Sequence, residues 1–79
     1  MEMSDFKDVE GYLNAKGFRK THRRDYPDAP DARIRVFVHP DARRPRFAFP
    51  EVGGKVLKRH FERIKAVVEI HEEFGEEAP

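Results

Sequence analysis

Two short runs in the middle of the chain alternate polar and apolar side chains, and this alternation constrains the fold more than any other feature. Residues 33–39 read RIRVFVH, and residues 46–49 read RFAF after a proline-containing turn. Two runs with a period of two around a turn predict a β-hairpin. We expect the core-facing side of the first strand to carry its aliphatic residues, Ile34, Val36 and Val38. The alternation then places Arg35 and Phe37 on the opposite, exposed face.

Helical periodicity flanks this hairpin on both sides. A first helix is predicted over about residues 5–16, with Ser4 as its N-cap and Gly17 as its left-handed C-terminal residue. Its apolar residues recur at helical spacing: Phe6, Val9 and Leu13. A second helix is predicted over about residues 54–74. Its apolar stripe consists of Leu57, Phe61, Ile64 and Val68.

The segment between the first helix and the hairpin is polar. Residues 18–24 (FRKTHRR) are predicted to form an exposed edge strand, where basic side chains oppose edge-to-edge association. Residues 25–32 (DYPDAPDA) contain two prolines and three aspartates and are predicted to form a loop. The predicted fold class is therefore α+β in the order α-β-β-β-α, a three-stranded antiparallel sheet with two helices packed on one face.

The length of the chain limits it to one core. Its 79 residues are predicted to form a single domain, because a second core needs roughly 50 more residues. We expect an ordered core over about residues 5–74 and a frayed acidic tail over residues 75–79. The chain contains no cysteine, which excludes disulfides and thiol nucleophiles. Without a signal peptide or a long apolar run, it is expected to be cytoplasmic and to avoid membranes.

A net charge of +1 conceals a strongly basic centre. Residues 18–46 carry nine basic and four acidic side chains, and residues 47–65 carry five basic and two acidic ones. The last fourteen residues hold five glutamates and no lysine or arginine. A field of one sign over the middle of a small domain attracts phosphates or an acidic partner.

The start of the second predicted helix is a candidate phosphate site. Gly53 and Gly54 precede three cations, Lys55, Lys58 and Arg59. Cations at a helix N-terminus oppose the helix dipole, unless a bound anion accepts hydrogen bonds from the free amides. The alternative interpretation is a flexible turn followed by ordinary lysine–glutamate pairs on a solvated helix face.

Phe37 is a second candidate, because an aromatic ring between basic residues on an exposed strand can stack on a nucleobase. A packing role for this ring is the alternative. The histidines give no cofactor or metal site, since His60 and His71 lie about 16 Å apart along one helix. His22 and His39 could meet across neighbouring strands and act on RNA, but no carboxylate is placed to orient them.

The predicted order of elements resembles the double-stranded-RNA-binding domain fold, and several short motifs are similar to those of the HicA-type ribonuclease toxins. The motifs are Gly17-Phe18, His39-Pro40-Asp41, Pro50 and Gly54-Lys55-Val56-Leu57-Lys58. The toxins carry their catalytic histidine in a Gly-Ser-His motif before the strand that leads into His-Pro, where this chain reads DAPDARIRV. The resemblance therefore implies an RNA-binding surface without the ribonuclease activity.

The sequence thus predicts a small nucleic-acid-binding domain, with RNA favoured over DNA. One alternative is an interaction module for an acidic protein partner, and another is a divergent ribonuclease that uses His22 or His39. No catalytic residue and no cofactor is predicted. The predicted nucleic-acid-binding residues are Lys55, Lys58, Arg59, Arg43, Arg44, Arg46, Arg35 and Phe37.

Overall fold

The computed structural model describes residues 2–26 and 29–74. It confirms the α+β class and contains two helices and five strands. In chain order these are β1 (Met3–Asp5), α1 (Phe6–Ala15), β2 (Arg19–Tyr26), β3 (Ala29–Val38), β4 (Phe47–Val52), β5 (Lys55–Leu57) and α2 (Lys58–Phe74). Neither helix in this part of the chain is long and apolar enough to cross a membrane. The predicted frayed tail lies outside the described residues.

The strands form one antiparallel sheet in the order β1-β5-β4-β3-β2. The prediction of three strands is therefore wrong. It missed β1 and β5, because strands of three residues are too short to show a periodic pattern. The prediction of a loop over residues 25–32 is also wrong in its described part, since β2 continues to Tyr26 and β3 begins at Ala29. As predicted, the basic strand β2 lies at an edge of the sheet.

Gly53 and Gly54 form the turn between β4 and β5. Both have positive φ angles, 57° and 80°, and Val52 pairs directly with Lys55 across the turn. Two consecutive residues with positive φ favour glycine, and they form the tight hairpin whose twist matches that of its strands. Lys55 therefore belongs to a strand, and α2 begins at Lys58 instead of at the predicted residue 54. The backbone pairs of β5 with β1 outcompete helix formation there.

The two faces of the sheet are reversed relative to the prediction. Phe37 is completely buried, and its ring stacks on that of Phe49 with centroids 5.8 Å apart and planes 7° apart. Phe37, Phe47 and Phe49 share this face, where each ring buries more apolar area than a valine or an alanine would. The same buried cluster contains residues of both helices, namely Phe6, Val9, Leu13, Ile64 and Val68. Both helices therefore cover the aromatic face, as the cross-strand register requires.

The opposite side of the sheet, which no helix covers, is called the open face. Its described apolar residues are Met3, Ala32, Ile34, Val36, Val38, Ala48, Pro50, Val52 and Leu57. Cross-strand pairs such as Val36 with Ala48 and Ile34 with Pro50 lie next to one another on it. Met3 and Val52 are 44% and 50% exposed. The aliphatic side of β3, predicted to form the core, thus faces outwards.

Gly17 ends α1 in the left-handed conformation, as predicted, with a φ of 92°. The amide of Phe18 donates to the carbonyl oxygen of Leu13 at 2.9 Å, and the ring of Phe18 folds back into the core. A Cβ atom at Gly17 would lie only 2.7 Å from Nε2 of His39. The end of α1 and the end of β3 can approach this closely only because residue 17 has no side chain.

Replacing Gly17 by alanine is expected to reduce the free energy of unfolding by about 1–3 kcal/mol, since it combines an unfavourable φ with a steric clash. Urea denaturation of the purified variants measures this change. Gly11→Ala is the matched control, because a Cβ there meets nothing within 4 Å and Gly11 lies inside α1. That control should be stabilising by about 0.5–1 kcal/mol. Equal effects of the two substitutions would contradict the close packing at Gly17.

Candidate nucleic-acid interface

A groove with basic side chains at its rim lies between α2 and the start of β4. It has a volume of about 370 Å³. Its apolar lining is formed by Phe47, Phe49, Ile64 and Val67, with Ala48 between the two phenylalanines. The residues at its rim are Pro45, Arg46, His60 and Arg63. A second hollow, lined by Arg59, His60 and Arg63, continues the surface toward the first turn of α2. We refer to both hollows together as the basic groove.

The helix geometry of α2 aligns the cations of the basic groove. Arg59 and Arg63 lie four residues apart, which places both side chains on one helix face about one turn from each other. His60 lies three residues before Arg63 and is therefore on the same side. Arg46 approaches from the opposite wall, because it immediately precedes β4. Two separate elements thus bring four basic side chains to one surface.

The arginines of the basic groove have no acidic partner. Within residues 2–26 and 29–74, Arg46, Arg59 and Arg63 form no ion pair and no side-chain hydrogen bond. Like charges four residues apart on a helix destabilise it slightly. Several cations elsewhere pair with carboxylates, as in the Lys16–Glu72 pair at 3.2 Å and the Lys20–Glu10 pair at 3.0 Å. The basic groove therefore concentrates positive charge that an external anion can neutralise.

The loop between β3 and β4 presents further arginines next to the basic groove. The carboxylate of Asp41 accepts hydrogen bonds from the backbone amide of Arg43 at 3.0 Å and from its guanidinium Nη2 at 2.9 Å. These bonds hold the pKa of Asp41 at about 2, well below its ordinary value. Arg43 is thus partly neutralised within the loop. Arg44 is half-buried beside it, whereas Arg46 is exposed at the rim.

The two predicted lysines lie away from the basic groove. Lys55 is on β5 at the border of the open face, where its ammonium group pairs with Asp5. Lys58 begins α2, and its ammonium group lies 3.2 Å from the carboxylate of Glu2. Gly53 and Gly54, predicted to precede a phosphate-binding helix start, form the hairpin turn instead. In this turn the amide of Gly54 donates to Glu51. Of the three cations predicted at this helix start, only Arg59 belongs to the basic groove.

Arg35 and Phe37, both predicted to contact nucleic acid, lie beneath the helices. Nε of Arg35 donates to Oε1 of Glu51 at 2.5 Å, and these side chains are only 14% and 3% exposed. The guanidinium group also lies 4.6 Å from the ring centre of Phe6. Phe37 is completely buried. Their placement on an exposed strand face is wrong, because the aromatic side of β3 packs against the helices.

Glu51 is the acidic centre of this buried group. Burial raises the pKa of its carboxyl group, but the hydrogen bonds from Arg35 and from the amide of Gly54 lower it more, so that the pKa lies below its ordinary value. The Gly54 amide donates at 2.9 Å. The ionised carboxylate therefore fixes the β4–β5 turn to the neighbouring strand β3.

His39 has a structural position. Its Nδ1 atom accepts a hydrogen bond from the amide of Asp41 at 2.9 Å, and its ring packs edge-on against Phe18 with centroids 5.0 Å apart. The side chain of His22 lies outside the described set. No group of three side chains among the described residues is arranged to hold a metal ion.

Two residues of the basic groove, His60 and Arg63, were not predicted. His60 was considered only as a metal or cofactor ligand, and Arg63 was given no role. A signal for them was available in the spacing of Arg59 and Arg63, which lie four residues apart and therefore share one helix face. Comparison with protein-family models, with curated proteins and with solved structures gave no match to this chain. The resemblance noted in the sequence stays a prediction.

Proposed function

We propose that this protein binds the phosphate backbone of double-helical nucleic acid through the basic groove. The observation that carries the proposal is the group of arginines without acidic partners, Arg46, Arg59 and Arg63, on two elements that face each other. A guanidinium group can donate two parallel hydrogen bonds to a phosphate. Because the proposed contacts are to the backbone, they supply affinity without sequence preference.

A double helix fits this surface better than a single strand. Proteins that bind single strands stack successive bases on exposed aromatic rings. Among the residues whose side chains the structure describes, every aromatic ring is buried or half-buried. The half-buried Phe47 and Phe61 pack against the core. The basic groove therefore offers charge and shape to a phosphate backbone but offers no stacking platform, and duplex RNA is the first ligand to test.

The double variant Arg59→Gln/Arg63→Gln is expected to weaken binding to duplex RNA at least about 10-fold at low salt, because each lost charge-assisted hydrogen bond is worth about 1.5–3 kcal/mol. Two lost phosphate contacts should also reduce the slope of log affinity against log salt by about 1.4–1.8. Fluorescence anisotropy of labelled duplex RNA across a salt series measures both quantities. Duplex DNA and the separated strands of the same sequence form the other arms.

Lys7→Gln/Lys55→Gln is the matched control, since it removes the same charge from exposed side chains that do not line the basic groove. This control variant should change the slope of log affinity against log salt much less than the arginine variant does. An unchanged slope in the arginine variant would refute the proposed contact. If polyglutamate displaces the RNA more effectively than unlabelled duplex does, the surface binds acidic proteins instead.

A further inference from the structure

Among the described residues that line the basic groove, His60 is the one whose charge changes near neutral pH. It lies on α2, is half-buried, and lines both hollows of the groove. A guanidinium group keeps its positive charge throughout the neutral range, whereas an imidazole ring gains or loses a proton between about pH 5 and 8. The total charge of the basic groove therefore depends on pH through this single side chain.

The ring of His60 is available for a ligand. It makes no hydrogen bond and no ion pair with any residue whose side chain the structure describes. His39 differs, because its Nδ1 atom accepts a hydrogen bond from the amide of Asp41 at 2.9 Å and a proton there would displace that bond. Both ring nitrogens of His60 can therefore donate to a bound anion once the ring is charged.

The charged groups that face His60 in the described part of the chain are all cations. Arg59 and Arg63 are on α2 beside it, and Arg46 reaches the same hollow from the start of β4. Glu62 is the acidic residue of α2 nearest to His60 in the sequence, but it lines a separate hollow, and residues two apart on a helix do not face each other. A bound phosphate is therefore the group that stabilises a positive charge on this ring.

We propose that the protonated ring of His60 is a further phosphate contact of the basic groove, so that binding of duplex RNA takes up one proton from solution. This inference rests on the proposed function. A charged imidazole donates charge-assisted hydrogen bonds to a phosphate, whereas the neutral ring has one donor nitrogen and no charge. Because the RNA binds the protonated form more tightly, its affinity rises as the pH falls through the range in which the ring gains its proton.

Fluorescence anisotropy of labelled duplex RNA between pH 5.5 and 8.5, at one salt concentration, tests the proton-linked contact. The affinity of the wild-type protein should rise about 10-fold as the pH falls, which corresponds to one added charge-assisted hydrogen bond. His60→Gln should flatten this dependence while the arginines still bind. His71→Gln is the matched control, since His71 is equally half-buried on α2 but lies outside the basic groove. The control should keep the pH dependence of the wild type.

A permanent charge and a salt series complete the test. His60→Lys should bind more tightly than wild type at pH 8 and should depend on pH no more than His60→Gln does. The slope of log affinity against log salt should be steeper by about 0.7–0.9 at pH 5.5 than at pH 8 for wild type alone, because one more phosphate is contacted. If His60→Gln keeps the pH dependence of the wild type while Arg59→Gln/Arg63→Gln weakens binding, the proton-linked contact is overturned and the proposed function stands. A wild-type protein that binds no duplex RNA at any pH would overturn both.

Discussion

Replacing Phe37 by alanine is expected to lower the free energy of unfolding by about 3–5 kcal/mol, which makes it one of the most damaging single substitutions in this chain. Phe37 is completely buried and packs against both Phe6 and Phe49. Truncation therefore leaves a cavity beneath the helices. Denaturant unfolding, monitored by circular dichroism at low protein concentration, measures the loss.

Phe37→Leu keeps this prediction testable if the alanine variant does not fold, since it should cost less and still lower the denaturation midpoint. Val36→Ala is the control on the neighbouring position. Its side chain is only half-buried on the open face. A larger loss at Val36 than at Phe37 would restore the face assignment predicted from the sequence and contradict the structure.

Replacing Glu51 by alanine is expected to cost about 3–5 kcal/mol, because it leaves the charge of Arg35 buried without its partner. Glu51 is only 2% exposed, and its carboxylate also fixes the turn at Gly54. The exposed Asp5–Lys55 pair provides the comparison, since exposed ion pairs contribute little and Asp5→Ala should cost much less than Glu51→Ala. Similar losses for the two substitutions, in the same denaturation assay, would show that the buried pair contributes no more than a surface one.

Stability is also expected to fall in acid partly through Glu51. The pKa of this group is lower in the folded protein than its ordinary value of 4.5, because the hydrogen bonds from Arg35 and Gly54 outweigh the opposing effect of burial. Its contribution is therefore fully present above pH 4.5 and is lost as the pH falls through the folded-state pKa. Denaturation midpoints measured from neutral to acidic pH should fall less steeply for Glu51→Gln than for wild type. Parallel curves of denaturation midpoint against pH for the two proteins would contradict the lowered pKa of Glu51.

Elements long enough to repeat their apolar spacing several times were predictable from the sequence. The spacing of Phe6, Val9 and Leu13 identified α1 and its buried side, and all three residues are in the core. Gly17 was recognised because a left-handed helix end requires a residue without a side chain. Val56, by contrast, was assigned to a helix although it is buried in β5. Strands of three residues depend on partners far along the chain, so local sequence contains little information about them.

The face of the central strand could have been assigned correctly. The alternation in residues 33–39 is compatible with either face, and the aliphatic residues were chosen for the core because they outnumber the single aromatic ring. The register of β3 with β4 decides the question, since it places Phe37 opposite Phe47 and beside Phe49. Three aromatic rings on one face bury more apolar area than valine and alanine on the other face. That comparison requires both strands of the hairpin to be weighed together.

The candidate site was predictable only in part. Arg46 and Arg59 were predicted to bind nucleic acid and do line the basic groove. Lys55 and Lys58 were chosen from their position after the glycines, but acidic residues near the N-terminus of the chain pair with both of them. Such pairs join distant segments and are not visible in a local pattern. Arg63 was missed because its significance depends on the residues that face it from the start of β4, which the helix pattern alone does not show.

The pairing of β1 with β5 also determines when the protein can fold during its synthesis. The side chains of Asp5 and Lys55 meet fifty residues apart in the sequence, and the amide of Phe6 bonds to the carbonyl oxygen of Gly54. Closing so long a loop is entropically unfavourable, whereas the hairpins of β2, β3 and β4 need only local contacts. Met3–Asp5 are thus synthesised well before their partner strand and are among the last of the described residues to find their place. A tag fused to the N-terminus must leave Met3–Asp5 free to enter the sheet.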